Sequence, residues 1–238
     1  MQKKHVVVLT GAGISAESGL KTFRDSGGLW ENYDVMEVAS IEGWQKNPEL
    51  VLKFYNERRK QAYHAQPNAG HLALKELEKY YKVSIITQNV DNLHEKAGST
   101  NVIHLHGELS KVRSEKYEDL IYEWGDKEIH LGDKCERGAQ LRPHIVWFGE
   151  VVPMMEHAIN VTLSADYFLV IGTSLNVYPA AGLINYLPAT ADIYVIDPHA
   201  HELPIRSNKK VKLISEKATI GVPKVVALLI EEATKQEH

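Results

Sequence analysis

One cysteine, Cys135, stands among 238 residues. No disulfide can form within the chain, so none props up the fold, and the composition suits a reducing compartment. Also missing is any apolar run approaching the roughly 20 residues of a membrane-spanning helix. Lys3-Lys4-His5 is followed by only a short apolar stretch, which does not read as a signal peptide. Charge is nearly balanced, with 27 Lys+Arg against 31 Asp+Glu for a formal −4, and neither sign forms a block suited to a nucleic-acid arm or an acidic tail. The nearest basic patch, Lys209-Lys210-Val211-Lys212, reads as a solvated strand edge. Internal repeats and low-complexity tracts are absent as well. The expectation is a soluble, cytoplasmic monomer that requires neither membrane nor nucleic acid, long enough for one large domain or one large and one small.

Against these absences, apolar β-rich runs recur at 5–10, 83–87, 102–105, 145–148, 167–171, 192–197 and 211–214. Helical stretches separate most of them. Asn47-Pro48 is an N-cap and first-turn pair opening a helix to about His64, and Pro67-Asn68 opens another to about Tyr81. Further helices are expected near 153–164, 179–187 and 222–235. Strands apolar on both faces and alternating with helices predict an α/β fold whose parallel sheet carries helices on both sides. Two stretches interrupt the alternation: 31–81, and the polar 109–143, which has no clear periodicity. They predict a smaller inserted lobe, with a cleft between lobe and sheet as the place for chemistry.

Directly after Val6-Val7-Val8-Leu9 comes Gly11-Ala-Gly-Ile-Ser-Ala-Glu-Ser-Gly19, followed by Phe23-Arg24. A strand turning tightly at Gly11-x-Gly13-x-x-Ala16 into a helix would offer backbone N–H groups and a helix N-terminus to a pyrophosphate. The same pattern can be a purely structural strand-to-helix turn. Ser15, Ser18, Phe23 and Arg24 add hydroxyls, a ring and a cation beyond a plain dinucleotide fingerprint.

Parallel sheets bind ligands beyond their strand C-termini, so the residues that follow each strand should converge. They are Gln88-Asn89-Val90-Asp91, His106-Gly107-Glu108, Gly172-Thr173-Ser174 and Asp197. Amides, carboxylates, an imidazole and small hydroxyls suit two riboses and a carboxamide. Asn89 and Asp91 can also be read as an N-cap pair, and His104, on the same parity as His106, as a structural strand histidine.

Taken in order, Gly11 to Gly19 with Phe23-Arg24, Thr87-Gln-Asn-Val-Asp91, His106-Gly107, Trp147-Phe-Gly-Glu150 and Gly172-Thr-Ser174 resemble the sirtuin family over about residues 5 to 230. The Tyr55-Asn-Glu-Arg58 sequence is most similar to its bacterial deacylases. The resemblance implies a single catalytic domain over 1–238. Its Rossmann-like large lobe would comprise 1–30, 82–108 and 144–238, and its small lobe the insertions 31–81 and 109–143. It implies NAD as cofactor and acylated lysine peptides as partners: the acyl-amide oxygen displaces nicotinamide at the ribose C1′, and the resulting alkylimidate passes on to O-acyl-ADP-ribose and free lysine. His106 is the implied general base, suited by a reference pKa of about 6.5, with Asn89 beside it as catalytic. The implied cofactor contacts are Gly11, Ala12, Gly13, Ser15, Glu17, Phe23, Arg24, Trp30, Gln88, Asn89, Val90, Asp91, Gly172, Thr173, Ser174, Asp197 and Ala218. Relatives commonly carry Asn-Leu-Glu where this chain has Asp197-Pro198-His199, and Pro198 removes a backbone donor there. Val146, Phe148, Gly149, Glu150, Val177 and Tyr178 would clamp the peptide as an added strand, a mode of loose sequence preference.

Tyr55 and Arg58, spaced i, i+3, reach one helix face and could receive a carboxylate. By residues alone Arg58-Arg59-Lys60 reads as a solvated basic face; the resemblance instead implies a reader of succinyl- or malonyl-lysine alongside acetyl-lysine. Most sirtuins hold a structural zinc with two Cys-x-x-Cys pairs. With Ser114 about where a first cysteine would stand, and only Cys135 left, no metal is expected. His130, Asp133 and Cys135 read as ordinary loop residues, with 109–143 held by hydrogen bonds and packing or partly mobile. Rival readings are an ADP-ribosyltransferase or NAD hydrolase, opposed by the clamp motif and the Tyr55/Arg58 pair, and a non-catalytic NAD sensor, opposed by His106 and Asn89. A hydride-transfer dehydrogenase lacks its Gly-x-Gly-x-x-Gly/acidic layout.

Overall fold

The computed structural model of the chain describes residues 3–21, 29, 30, 33–205 and 210–235. Strand β1 (His5–Thr10) is followed by the short pair β2 (Leu29–Trp30) and β3 (Tyr33–Asp34), then by helices α1 (Val35–Val38), α2 (Ile41–Lys46), α3 (Pro48–His64) and α4 (Ala69–Leu77). Next come β4 (Lys82–Thr87), α5 (Leu93–Lys96), β5 (Val102–His104), β6 (Gly107–Ser114), β7 (Ile121–Glu123) and β8 (Leu141–Ile145). Helix α6 (Met155–Thr162), strands β9 (Tyr167–Ile171), β10 (Asp192–Ile196) and β11 (Val211–Ile214), and helix α7 (Ala218–Lys235) complete the order.

Six parallel strands form the main sheet in the order β11-β10-β9-β1-β4-β5. Period-two alternation in β1 sends Val6 and Val8 to the face covered by Leu74 and Leu77 of α4 and by Val222, Val225 and Leu229 of α7. Val7 and Leu9 face Ala158 of α6 and Leu183 in the 3₁₀ turn Ala180–Tyr186. All four are fully buried, each contributing about 1.5–3 kcal/mol relative to exposure. That two-sided burial is why the strand reads as an unbroken apolar run. The expectation of a parallel sheet with helices on both faces therefore holds.

Elsewhere the structure differs from the reading. Helix α4 ends at Leu77, where 3₁₀-type bonds from Glu78 to Lys75 and Lys79 to Glu76 tighten the chain. It also packs with α7 on the main sheet. Where an α-helix is expected over 179–187, the chain forms the 3₁₀ turn Ala180–Tyr186. Helix α7 begins at Ala218 instead of near 222: the Glu17 carboxylate accepts from the Thr219 N–H and hydroxyl, capping it from a distant loop and leaving Pro223 inside. The strand expected at 145–148 lies at Leu141–Ile145, because Trp147 and Glu150 close a turn (Trp147 N–H to Glu150 Oε2, 2.8 Å; Glu150 N–H to Trp147 O, 3.0 Å).

The aperiodic 109–143 segment contributes to an ordered antiparallel sheet, β7-β6-β8. Leu109, Val112, Ile129, Cys135, Leu141 and Ile145 pack there against Val51, Phe54 and Tyr55 of α3. Gln140 ties the intervening loop together, donating to the carbonyls of His130 and Leu141 and accepting from Gly132 N–H at 2.8 Å. Cys135 Sγ lies 3.5 Å from Ser114 Oγ. A four-cysteine zinc site cannot be assembled from one cysteine. Among the described residues no group of three or more His, Cys, Asp or Glu is placed to hold a metal ion.

Candidate active site

The loop after β1 is built against the loop after β9. Gly11 N–H donates to Ile171 O at 3.0 Å and Gly13 N–H to Gly172 O at 2.9 Å. A Cβ on Gly13 would stand 2.6 Å from Gly172 Cα, and one on Gly172, whose φ is +58°, would stand 2.5 Å from Ile14 N. These glycines are thus required by two backbones crossing, a reason the nucleotide pattern alone did not suggest. The loop continues as two three-residue 3₁₀ turns, Ala12–Ile14 and Ala16–Ser18, instead of the expected helix. Its backbone N–H groups are consequently spent largely on its own turns, such as Ser15 N–H to Ala12 O. Asn68, the N-cap of α4, holds the loop from the side by donating to Ile14 O (2.7 Å) and Ser18 Oγ (3.0 Å).

The predicted convergence after β4 is present. Asn89 Nδ2 donates to Gly11 O (3.1 Å) and Ser15 Oγ (3.3 Å), while Ser15 Oγ donates to Asp91 Oδ2 (3.0 Å). Asp91 Oδ1 also accepts from Leu93 N–H, but the N-cap of α5 is Asn92, which makes no side-chain cap bond, so Asn89 and Asp91 are not the N-cap pair they could be read as. Burial pushes the Asp91 carboxyl above its ordinary range, against the hydrogen bonds it accepts. Gln88 Nε2 reaches Thr173 Oγ1 at 3.0 Å, joining the β4 and β9 ends. Val90 O accepts from Leu109 N–H, anchoring the small sheet. Half-buried Ser174 precedes Leu175, whose φ of +55° is a strained backbone for a branched side chain.

His104, at the end of β5, and His106, just beyond it, separate by their partners. His106 Nδ1 lies 3.0 Å from Gln88 O, and since a carbonyl can only accept, Nδ1 carries the proton and Nε2 keeps its lone pair. Burial lowers its pKa, favouring that neutral form. His104 instead sits between two acceptors, Asn89 O at 3.2 Å and Glu95 Oε1 at 2.7 Å. Burial would lower its pKa, but the Glu95 carboxylate prevails and raises it, favouring the charged form of His104 beside Glu95.

Other predicted residues are distributed around this centre. Asp197 is buried and accepts from His199 N–H at 2.9 Å, beyond β10. Ala218 opens α7, and Glu17 points at Thr219 beside it. Trp30 packs edge-on against Phe54 and Tyr55 of α3. Phe23 and Arg24 lie outside the described residues. Along the clamp segment, Val146 N–H donates to His106 O, and both backbone groups of Phe148 are engaged, its N–H by Ala39 O and its carbonyl by Ile41 N–H. Gly149 has a φ of +89°, and Phe148 and Tyr178 are exposed, with half-buried Val177 beside Tyr178. Glu150 turns inward, accepting from Arg142 at 2.7 and 3.0 Å and from Arg113 at 3.1 Å.

On α3, the solvated-face reading of Arg58-Arg59-Lys60 fails. Arg58 is 7% exposed, with its guanidinium 4.5 Å from the Phe54 ring centre, and Arg59 is 1% exposed, donating to Leu109 O at 2.7 Å. Only Lys60 faces water. Tyr55 is wholly buried and its hydroxyl accepts from Trp147 Nε1 at 3.0 Å. Reasoning from the sequence missed that bond, the hold of Asn68 on the loop after β1, the Glu95 partner of His104, and a buried ring pair, His71 and His94. Of these only Asn68 left a local signal, its spacing to His71 in a capping box.

Residues 11–179 match the model of the Sir2 family. An "NAD-dependent protein deacylase" of Helicobacter pylori strain J99 is 53% identical over 233 residues, covering 98% of both chains. A Sir2 homologue solved with NAD superposes with a TM-score of 0.87 at 39% identity, covering 97% of this chain and 91% of the other. A Sir2 protein solved with a deacetylated p53 peptide and 3′-O-acetyl ADP-ribose superposes with a TM-score of 0.79 at 30% identity, covering 97% and 94%.

Proposed function

The chain belongs to the Sir2 family, and from that membership we propose that it removes acyl groups from protein lysines at the expense of NAD, giving nicotinamide, O-acyl-ADP-ribose and free lysine. The residues present fit NAD. Ser15, Gln88, Asn89 and Thr173 offer hydroxyls and amides beside the Asp91 carboxylate at neighbouring strand ends, the mixture that riboses and a carboxamide need. NAD supplies an electrophilic ribose carbon with nicotinamide as leaving group.

The observation that carries the mechanism is the 3.0 Å contact of His106 Nδ1 with the Gln88 carbonyl, from which the tautomer follows. With Nδ1–H held by Gln88 O, Nε2 is oriented as an acceptor for a ribose hydroxyl proton, and the lowered pKa keeps it neutral near pH 7. Asn89 and Asp91, braced by Ser15 and Gly11, orient the nicotinamide side. Asp197 and the start of α7 at Ala218 flank the adenosine side. Acylated lysine peptides are the substrates, bound along 146–150 and 177–178. One cysteine, and among the described residues no helix long and apolar enough to cross a membrane, support a cytoplasmic setting.

Within that activity Tyr55 and Arg58 read acidic acyl chains. Both are buried, so a succinyl or malonyl carboxylate meeting them would be desolvated, where a bidentate guanidinium contact counts for most. The test is nicotinamide release with acetyl-, succinyl- and malonyl-lysine peptides. Arg58→Met should abolish turnover of succinyl-lysine and spare acetyl-lysine; equal loss on both sinks the acyl assignment. Release without peptide would favour an NAD hydrolase, and no release with any peptide a sensor.

A further inference from the structure

We propose that Trp147 is a positioning residue for acyl-chain selection: its indole N–H occupies a lone pair of the Tyr55 hydroxyl and thereby turns the phenol's own proton toward the acyl chain. This deepens, and rests on, the reading of Tyr55 and Arg58 as acyl readers. The bond is 3.0 Å from Trp147 Nε1 to Tyr55 Oη, between residues 2% and 0% exposed. An indole nitrogen can only donate, so Tyr55 Oη must accept, and its single proton is left for another partner. Burial holds the phenol in its protonated form.

The indole is itself clamped. The Arg142 guanidinium lies 3.5 Å from its ring centre, and Trp44 packs against it at 5.5 Å. Arg142 is fixed in turn by two bonds to Glu150, which also accepts from the Trp147 backbone N–H. Glu150, Arg142 and Trp147 thus form a rigid series ending on one phenolic oxygen. A hydroxyl with a prescribed proton direction discriminates chains that carry an acceptor from chains that do not. A succinyl or malonyl carboxylate accepts that proton; an acetyl methyl gains nothing from it.

The experiment compares kcat/KM for succinyl- and acetyl-lysine peptides in the wild type, Trp147→Phe, Tyr55→Phe, the double variant and Arg58→Met. Trp147→Phe keeps an aromatic ring but loses the donor, and should lower the succinyl-to-acetyl ratio about tenfold, the worth of one hydrogen bond to a charged group. The same change made in Tyr55→Phe should leave the ratio where Tyr55→Phe put it. Equal loss on both peptides, or the same tenfold fall without the Tyr55 hydroxyl, overturns the proposal. If Arg58→Met leaves the ratio unmoved, it is the underlying acyl reading that fails. Should Trp147→Phe not fold, protein labelled with ¹⁵N at the indoles decides: one resonance should shift and exchange faster in Tyr55→Phe, and four unmoved indole signals would refute the bond.

Discussion

His71 gives the fold a specific vulnerability to acid. The ring is fully buried, its centre 4.9 Å from that of buried His94, and Nδ1 accepts from Asn68 N–H at 3.3 Å in the capping box of α4. A proton arriving at Nδ1 would abolish that acceptor and place a charge away from water, so burial, which outweighs the opposing pull of the Glu95 carboxylate, pushes the His71 pKa down from 6.5 to about 4. Between those values the unfolded chain binds a proton that the folded chain refuses. Stability therefore rises with pH through the window, is complete above pH 6.5, and is lost as pH falls toward 4. From the two pKa values the loss at pH 5 is about 2 kcal/mol, on the way to about 3 kcal/mol below pH 4. His71→Asn keeps an acceptor near the Nδ1 position and cannot titrate. Urea unfolding of wild type and His71→Asn at pH 7.5 and 5.0 reads the effect, because His144, also lowered by burial, is the same in both proteins, and His94, which His71 helps to lower, is only eased by the substitution. The variant should lose about 2 kcal/mol less than the wild type over that interval. Identical losses would refute the reasoning, as would an NMR titration placing the folded His71 near 6.5.

Two further perturbations test the framework around the site. Glu150→Gln leaves the Arg142 guanidinium, 4% exposed, without its carboxylate, and should cost about 3 kcal/mol, a fall in Tm of roughly 9 °C by calorimetry; an unchanged Tm would show the pair to be dispensable. Gly13→Ala forces a Cβ to 2.6 Å from Gly172 Cα and should cost about 3 kcal/mol, whereas Gly19→Ala, at φ +88° with nothing within 4 Å, should cost only about 1 kcal/mol. Equal losses in urea melts would contradict the crossing-backbone account.

The parallel sheet was legible because burial on both faces writes each strand as a continuous apolar run, and a candidate site could be assembled because parallel strands all deliver their following residues to one edge. Gln88, Asn89, Asp91, His106 and Thr173 could therefore be gathered from sequence without knowing a single contact. The small sheet was not legible. Its ladders are short and join distant residues, such as Lys111 with Glu123 and Ser114 with Leu141, so polar side chains on its open face obscure the alternation. Trp147 and Tyr55 are separated by 92 positions and share no periodicity, and only the packing of α3 on β8 brings them together. Arg58 and Arg59 misread as a solvated face because charge predicts exposure only where no neighbouring ring or carbonyl competes for it.

The contact between the loops after β1 and β9 also constrains how this chain can change over generations. Most steric faults in a core can be repaired by shrinking the neighbour. At Gly13 and Gly172 the neighbour is backbone, and each residue already lacks the side chain that could be trimmed. No second substitution in the opposing loop can make room for the first. The two positions cannot drift by compensation, and a lineage that lost either glycine would have to rebuild both loops to recover the site.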